Sequence, residues 1–374
     1  MVLLQARYVV ALLNRLGDDA AVYAPLLDNL RLFTLDLRER QATIRNIVSE
    51  ADYGQSLSPL IQRINQVASQ YSSARTPNLA QKLKWELPEF SRLKDAFRQA
   101  GVVQPVNLSE IKEHLNEASR SDPARGGAVY YLAFDNNAIR NRLYSNVIAP
   151  PMERSPQYNL RLAQQVKREL DHRVDKINGE FLNAFNDLYP SLSISGIFQN
   201  QNALVDRLKQ LAKAEWNAML ASRNCETVSL RRRRAGAPTD SDGLIIETYA
   251  QFANHAGRKV ILFSSDNDFV TRCDGNTNLT GVLVMYPSRL EAEYRTFWEY
   301  AGRLLYHLSV IYGRIDIETK AGDTVHLYGV WRRKGAQDWR EEHLKITVEP
   351  SHSAALQLLS RDIEILKAAQ NDGE

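Results

Sequence analysis

The stretch Lys259-Val-Ile-Leu-Phe-Ser-Ser-Asp266-Asn-Asp268-Phe269 decides the fold. Its apolar, β-branched run predicts a buried parallel strand, because a strand covered on both faces shows no polar alternation. Two serines and two aspartates follow on a turn. In open α/β sheets, ligands meet the carboxyl ends of the strands. The run therefore delivers carboxylates to the place where such folds do chemistry. Acids crowded there repel one another unless a cation neutralises them. Hard oxygen donors of this kind suit Mg²⁺ or Mn²⁺.

Working outward, Ala128-Val-Tyr-Tyr-Leu-Ala-Phe134 predicts a second strand, ending at Asp135 and followed by a helix from Asn137 to about Tyr144. Helical spacing covers Leu160 to Leu188, which contains Glu169, and Leu204 to about Ser222. Glu226–Leu230 reads as a short strand, Asp242 opens a helix to about Ala256, and Gly281–Tyr286 is a further strand. Strands alternating with helices predict a parallel sheet flanked on both faces, an α/β core. Before it, Leu3, Leu4, Val9, Leu12, Leu13 and Leu16 recur near a period of 3.6, as do Leu57, Leu60, Ile61, Ile64 and Val67. Residues 1–120 thus read as a helical module for a protein partner, regulation or self-association. Ser121 to Gly127 reads as a linker, and residues 128–290 as the core. The remaining 291–374 read as an α+β segment: a helix from Glu291 to about Tyr312, a hairpin of Arg314–Glu318 and Thr324–Trp331, a strand at Leu344–Val348 and a last helix near Ala354–Ala369.

Bulk composition narrows the functional classes. A chain of 374 residues has room for two or three domains. With 44% hydrophobic and 24% charged residues it can build a core without staples. A formal net charge of +3 means that nucleic-acid binding has to come from local basic patches. Cys225 and Cys273 make neither a Cys-x-x-Cys pair nor a disulfide framework, which suits a reducing cytoplasm. Seven scattered histidines argue against zinc. No Gly-x-Gly-x-x-Gly or P-loop lysine motif is present. Arg7 interrupts the early apolar run, against a signal peptide, and no uncharged stretch is long enough to span a bilayer. The expectation is a cytoplasmic protein without a membrane partner.

Taken singly, the acids have ordinary readings. Asp242 suits a helix N-cap, Glu169 a solvated helix face, and Asp266 and Asp268 a turn. Taken together they resemble a family. Asp135-Asn-Asn137-Ala-Ile139 after an apolar strand resembles the opening motif of PIN-domain nucleases. Arg168-Glu169-Leu170 resembles that family's helical Glu-Leu. Asp242-Gly-Leu-Ile-Ile-Glu-Thr-Tyr-Ala250 is similar to its Asp-x-x-Ile helix start, and Ile261 to Phe269 to its final strand with Asp-x-Asp-Phe. The resemblance covers about Ala128 to Pro287. Departures are an extra helical span between Asp171 and Cys225, and Asn136 where Thr or Ser is common. The insertion makes Glu180 the fallback for Glu169.

The resemblance implies a metal-dependent endonuclease, acting on RNA more readily than DNA. Asp135 and Asp266 would touch Mg²⁺ or Mn²⁺, with Asp242 and Glu169 completing the site and Asp268 as a further ligand or neighbouring acid. Asn137, Asp240 and Ser265 would hydrogen-bond around these ligands. Arg231, Arg232, Arg233 and Arg234, close in sequence to Asp242, read as phosphate contacts or as a solvated strand end, and Arg140 and Arg142 as further backbone contacts. Tyr328, Trp331 and Trp339 among Arg332, Arg333, Lys334, Arg340 and Lys345 offer either base stacking or core packing. The alternative to a nuclease is a scaffold of the same fold that binds nucleic acid without cutting it. A haloacid-dehalogenase-type phosphatase would need an acid at position 137, which is Asn.

Overall fold

The structure is a computed structural model. It describes residues 2–38, 41–71, 78–149, 158–171, 179–190, 203–230, 240–320, 322, 324–348 and scattered positions from 354 to 364. In chain order the elements begin with β1 (Val2–Gln5), α1 (Ala6–Leu16), β2 (Asp19–Ala24), β3 (Leu30–Asp36), β4 (Gln41–Arg45), α2 (Glu50–Gln70), α3 (Leu79–Trp85), α4 (Phe90–Gln99) and α5 (Leu108–Arg120). There follow β5 (Val129–Phe134), α6 (Asn136–Arg140), β6 (Asn159–Ala163), α7 (Gln164–Asp171), α8 (Gly179–Leu188), α9 (Leu204–Leu220), β7 (Cys225–Val228), α10 (Ser241–Ala253), β8 (Arg258–Ser264), α11 (Asn267–Thr271) and β9 (Leu279–Leu283). The chain closes with β10 (Glu293–Phe297), α12 (Trp298–Ile311), β11 (Arg314–Thr319), β12 (Thr324–Tyr328), α13 (Ala336–Arg340) and β13 (His343–Val348).

Two compact units share these elements, one formed by residues 1–102, 174–208 and 289–374, the other by 103–173 and 209–288. The first is built on an eight-stranded antiparallel sheet ordered β1-β13-β12-β11-β2-β3-β4-β10. One face alternates Ala20, Val22, Ile315, Ile317, Val325, Leu327, Leu344 and Ile346 into a core under α1 and α12. The opposite face carries Tyr23, Arg314, Asp316, His326 and Lys345, as period-two alternation requires. Gly302 lets α12 approach α1: a Cβ there would run into the carbonyl of Ala6.

The second unit is a parallel sheet ordered β7-β6-β5-β8-β9. Its core gathers Phe134, Leu162, Trp216, Tyr249, Phe263, Phe269 and, from α5, Ile111 and Leu115. Strand order reverses between β5 and β8, which makes the gap beyond their carboxyl ends the switch point of the sheet.

This differs from the sequence reading in several places. The N-terminal region is not an all-helical module, because β1 to β4 lie in it and three of them, β1, β2 and β4, pair with C-terminal strands: Ala20 to Tyr23 face Thr319 to Asp316, and Val2 faces Ile346. The helix α5 belongs to the parallel-sheet unit, so the boundary falls near Val103 and not at Ser121. The long helix expected from Leu160 begins instead with β6, and the expected helix from Glu291 begins with β10. The last helix lies mostly outside the described residues.

Candidate functional site

Asp135 and Asp266 end the two strands that flank the switch point. Asp135 is buried and caps α6. Its Oδ1 accepts from the Asn136 N–H at 2.6 Å and its Oδ2 accepts from the Ser264 hydroxyl at 2.9 Å. The Ser264 oxygen in turn accepts from the Asp266 N–H at 3.1 Å. Glu169, on α7, accepts from Asn136 Nδ2 at 2.9 Å and from the Ser241 hydroxyl at the start of α10. The structure thus brings Asp135, Asn136, Glu169, Ser241 and Ser264 into one hydrogen-bonded set at the strand ends.

The remaining acids serve their own helices. Asp240 caps α10 through the Gly243 N–H at 2.6 Å and pairs with Arg272 at 2.9 Å. Asp266 caps α11, accepting from the N–H groups of Asp268 and Phe269 at 2.9 and 3.2 Å. Asp242 sits in the first turn of α10 and Asp268 in that of α11, where negative charge meets the positive end of the helix dipole. Ser265 Oγ accepts from Asn141 Nδ2 at 3.3 Å, and Asn137 is exposed.

These commitments overturn the expectation of a Mg²⁺ or Mn²⁺ centre. Among the described residues no group of three or more His, Cys, Asp or Glu side chains is placed to hold a metal ion. Spacing along the chain put acids at the strand ends. The capping hydrogen bonds turn their oxygens toward backbone N–H groups and hydroxyls instead of a shared centre. The metal-dependent endonuclease reading, and the hydrolase activity with it, is corrected accordingly. Glu180 opens α8 in the antiparallel unit and is no substitute for Glu169.

Burial raises the carboxyl of Asp135 above its ordinary 3.8, and nearby Asp242 pushes the same way, against the hydrogen bonds from Ser264 and the α6 backbone. A raised native pKa means a folding penalty that is complete above it and fades as pH falls through it toward the unfolded value. Asn at this position keeps the cap acceptor and offers Ser264 a donor. Asp135→Asn should therefore stabilise the parallel-sheet unit by about 1 kcal/mol at pH 7, with the gain shrinking at acid pH. Urea unfolding at pH 7 and near pH 4 checks this; a variant less stable than wild type at pH 7 would count against the account.

The basic residues expected at a substrate divide. Arg142, with φ at +56°, is buried, and its Nε lies 3.3 Å from the fully buried Glu215. It holds the fold together and presents no charge to a ligand. Arg140 donates to Asn136 Oδ1 at 3.0 Å. Arg231 to Arg234 lie outside the described residues. The aromatic and basic C-terminal stretch closes on itself: Lys334 Nζ sits 4.7, 4.6 and 4.2 Å from the ring centres of Tyr306, Trp331 and Trp339, and donates to the carbonyls of Gly329 and His343. Those rings clasp a lysine and form no open stacking platform.

A different cationic surface emerges beside the edge strand β7. A groove between β7 and α10 consists of two adjoining clefts of about 410 and 130 Å³ that share Ser229 and Thr248. Arg161, Arg258 and His255 line the larger and Arg168 the smaller, with Glu226 as the acid among the lining residues. Arg161 lies 4.6 Å from the Tyr131 ring centre and 5.5 Å from that of Phe252, and Arg258 lies 4.6 Å from Phe252. The Arg161 side chain is 12% exposed, pairs with Glu226 at 3.0 Å, and keeps a buried Nε without a hydrogen-bond partner. Sequence reasoning missed this groove because it took the chain from Leu160 onward as helix, where β6 runs from Asn159 to Ala163. The alternation Leu160, Arg161, Leu162 was the available signal for a strand.

No family model matches the sequence, no curated protein matches it, and no solved structure matches its fold. The chain is thus described by its own geometry: an α/β protein of two units, one antiparallel and one parallel, with acids tied into helix caps and an arginine-lined groove along a sheet edge.

Proposed function

We propose that this chain is a nucleic-acid-binding protein that does not cleave its ligand, built on a PIN-like parallel-sheet unit. The observation that carries the reading is the groove between β7 and α10, where two arginines lie against the face of Phe252. Stacking on aromatic rings holds a guanidinium in place with its donors set, which suits an extended chain of phosphates. Arg168 continues the cationic line toward the strand ends, and Glu226 is the only acidic side chain among the described residues lining the groove. The motif order from Asp135 to Asp266 and the switch point between β5 and β8 support the PIN-like reading. Acids committed to caps support binding without hydrolysis. Single-stranded RNA is the favoured ligand, as the family resemblance implies.

Fluorescence anisotropy with a labelled single-stranded RNA, its DNA counterpart and a duplex tests the reading across a salt series. Wild type should bind with strong salt dependence. Arg258→Gln and Arg168→Gln should each weaken binding by about threefold to tenfold and reduce the salt slope by about 1. The RNA should stay intact with Mg²⁺ or Mn²⁺ present. Saturable binding of an acidic peptide but not of nucleic acid would assign the groove to a protein partner, and cleavage products that disappear in Asp266→Asn would restore the nuclease.

A further inference from the structure

We infer that the antiparallel unit carries a separate binding site for a small organic oxyanion, in the cleft between Arg63, Tyr189 and Arg314. The cleft has a volume of about 350 Å³, within the range that holds a small ligand. Pro25 and Leu188 supply apolar wall, and Asp28, Asn29 and Asp316 complete the polar side. All of these residues belong to the antiparallel unit, so the site is independent of the groove at β7.

The charge pattern selects the ligand. Arg63 grips Asp28 with both terminal nitrogens, at 3.3 and 3.2 Å. Arg314 grips Asp316 through Nε and Nη2, both at 2.6 Å, and His326 Nδ1 lies 2.8 Å from the same carboxylate. Both acids therefore already hold their donors and repel a further anion weakly. Arg314 also places Nη2 2.8 Å from His326 Nδ1 and bonds the Tyr328 side chain. A guanidinium carries five N–H groups, so Arg63, with its two bonds to Asp28, keeps the larger free share. A cleft whose acids are neutralised and whose arginines still project N–H groups favours acceptor oxygens over cations.

Tyr189 is the second, independent observation. It lines the cleft and is only 4% exposed, yet its buried hydroxyl has no hydrogen-bond partner. Burial pushes the phenol up, so it stays protonated and able to donate, with Asp28 and Arg63 as the nearby charges. Leaving a buried donor unsatisfied is costly, and native structures seldom do so without reason. A carboxylate or phosphate oxygen entering between Arg63 and Arg314 would accept from this hydroxyl and complete the set. Asp28 and Asn29, both left-handed at φ +52° and +59°, hold the rim in a conformation that non-glycine residues adopt infrequently.

The test is isothermal titration of the full chain, in a buffer free of phosphate and carboxylate, with inorganic phosphate, adenosine 5′-monophosphate and glutarate as separate probes. At least one should bind saturably at millimolar concentration or below. Preference for the nucleotide over glutarate assigns the site to phosphate monoesters, and the reverse assigns it to carboxylates. Tyr189→Phe removes one oxygen and should leave folding intact while weakening affinity about tenfold. Arg63→Gln should weaken it at least as much. Arg258→Gln, in the other unit, should leave it unchanged. Absence of saturable binding by all three probes, or binding that survives either Tyr189→Phe or Arg63→Gln unaltered, overturns the assignment.

Discussion

Replacing Arg207 with methionine should destabilise the antiparallel unit by about 3–5 kcal/mol. Its side chain has no exposure. Nη1 lies 3.4 Å from Glu86 Oε2, and Nη2 donates to the Ile311 carbonyl at 2.8 Å. Glu86 is itself buried and also accepts from the Leu204 N–H at 2.8 Å. Methionine fills similar volume but leaves a buried carboxylate without its counter-charge. Burial raises the Glu86 carboxyl, and the charge of Arg207 opposes that shift. Without Arg207 the rise grows. A raised acid destabilises the fold above its native pKa, and the penalty fades as pH falls through it. The cost of Arg207→Met should therefore be larger at pH 8 than at pH 5. Adding Glu86→Gln should recover much of the loss, since the uncompensated charge is then gone. Urea unfolding of the single and double variants at the two pH values measures this. A cost that is independent of pH would show that lost packing, not the stranded charge, dominates.

Ile111→Ala should cost the parallel-sheet unit about 3 kcal/mol. Ile111 is fully buried in the same core cluster as Leu132, Phe134 and Val282. The entry to its helix is stitched to the end of β9 and the residues just past it: the Val106 N–H donates to the Met285 carbonyl at 2.8 Å, Asn107 Nδ2 to the Leu283 carbonyl at 2.7 Å, and Met285 N–H to Asn107 Oδ1 at 3.0 Å. A chain starting at Pro123 loses all of these and exposes the apolar surface that α5 covers. It should give no cooperative unfolding transition. If such a chain unfolded cooperatively, and Ile111→Ala cost under 1 kcal/mol, α5 would be an attachment and not a part of this unit.

The two results bear differently on what could be read from the sequence. Local signals were strong where an element's environment is uniform. The runs Val129–Phe134 and Val260–Phe263 show no polar alternation because both faces of a central parallel strand are covered, so they announce themselves without knowledge of their neighbours. Asp135 and Asp266 were likewise legible as acids just past strands, whereas the cap of α10, read at Asp242, falls on Asp240. Strands that depend on distant partners were not. Half of β2 is alanine, so its alternation of buried and half-buried residues carries little hydrophobic contrast, and in its partner β3 a register shift leaves Leu32 and Phe33 buried in succession, which breaks the period-two pattern there. Its other neighbour, β11, lies almost three hundred residues away. β6 is five residues long and runs directly into α7, so helical spacing downstream masked it.

By itself the sequence determined that the chain has an α/β core, which strands are central, and that acids and serines stand at their carboxyl ends. These follow from short-range periodicity and residue type, which the chain carries wherever it goes. Only the tertiary structure decided where each carboxylate oxygen points. The residue types that ligate metal are the same ones that cap helices, and the choice rests on whether a backbone N–H or a hydroxyl lies within 3 Å. Asp135 meets Asn136 and Ser264, and Asp266 meets the first turn of its own helix, so the acids hold the fold. The tertiary structure likewise assembled the groove at β7 and the cleft at Tyr189, because each joins residues far apart in sequence whose charges and rings become meaningful only at contact distance.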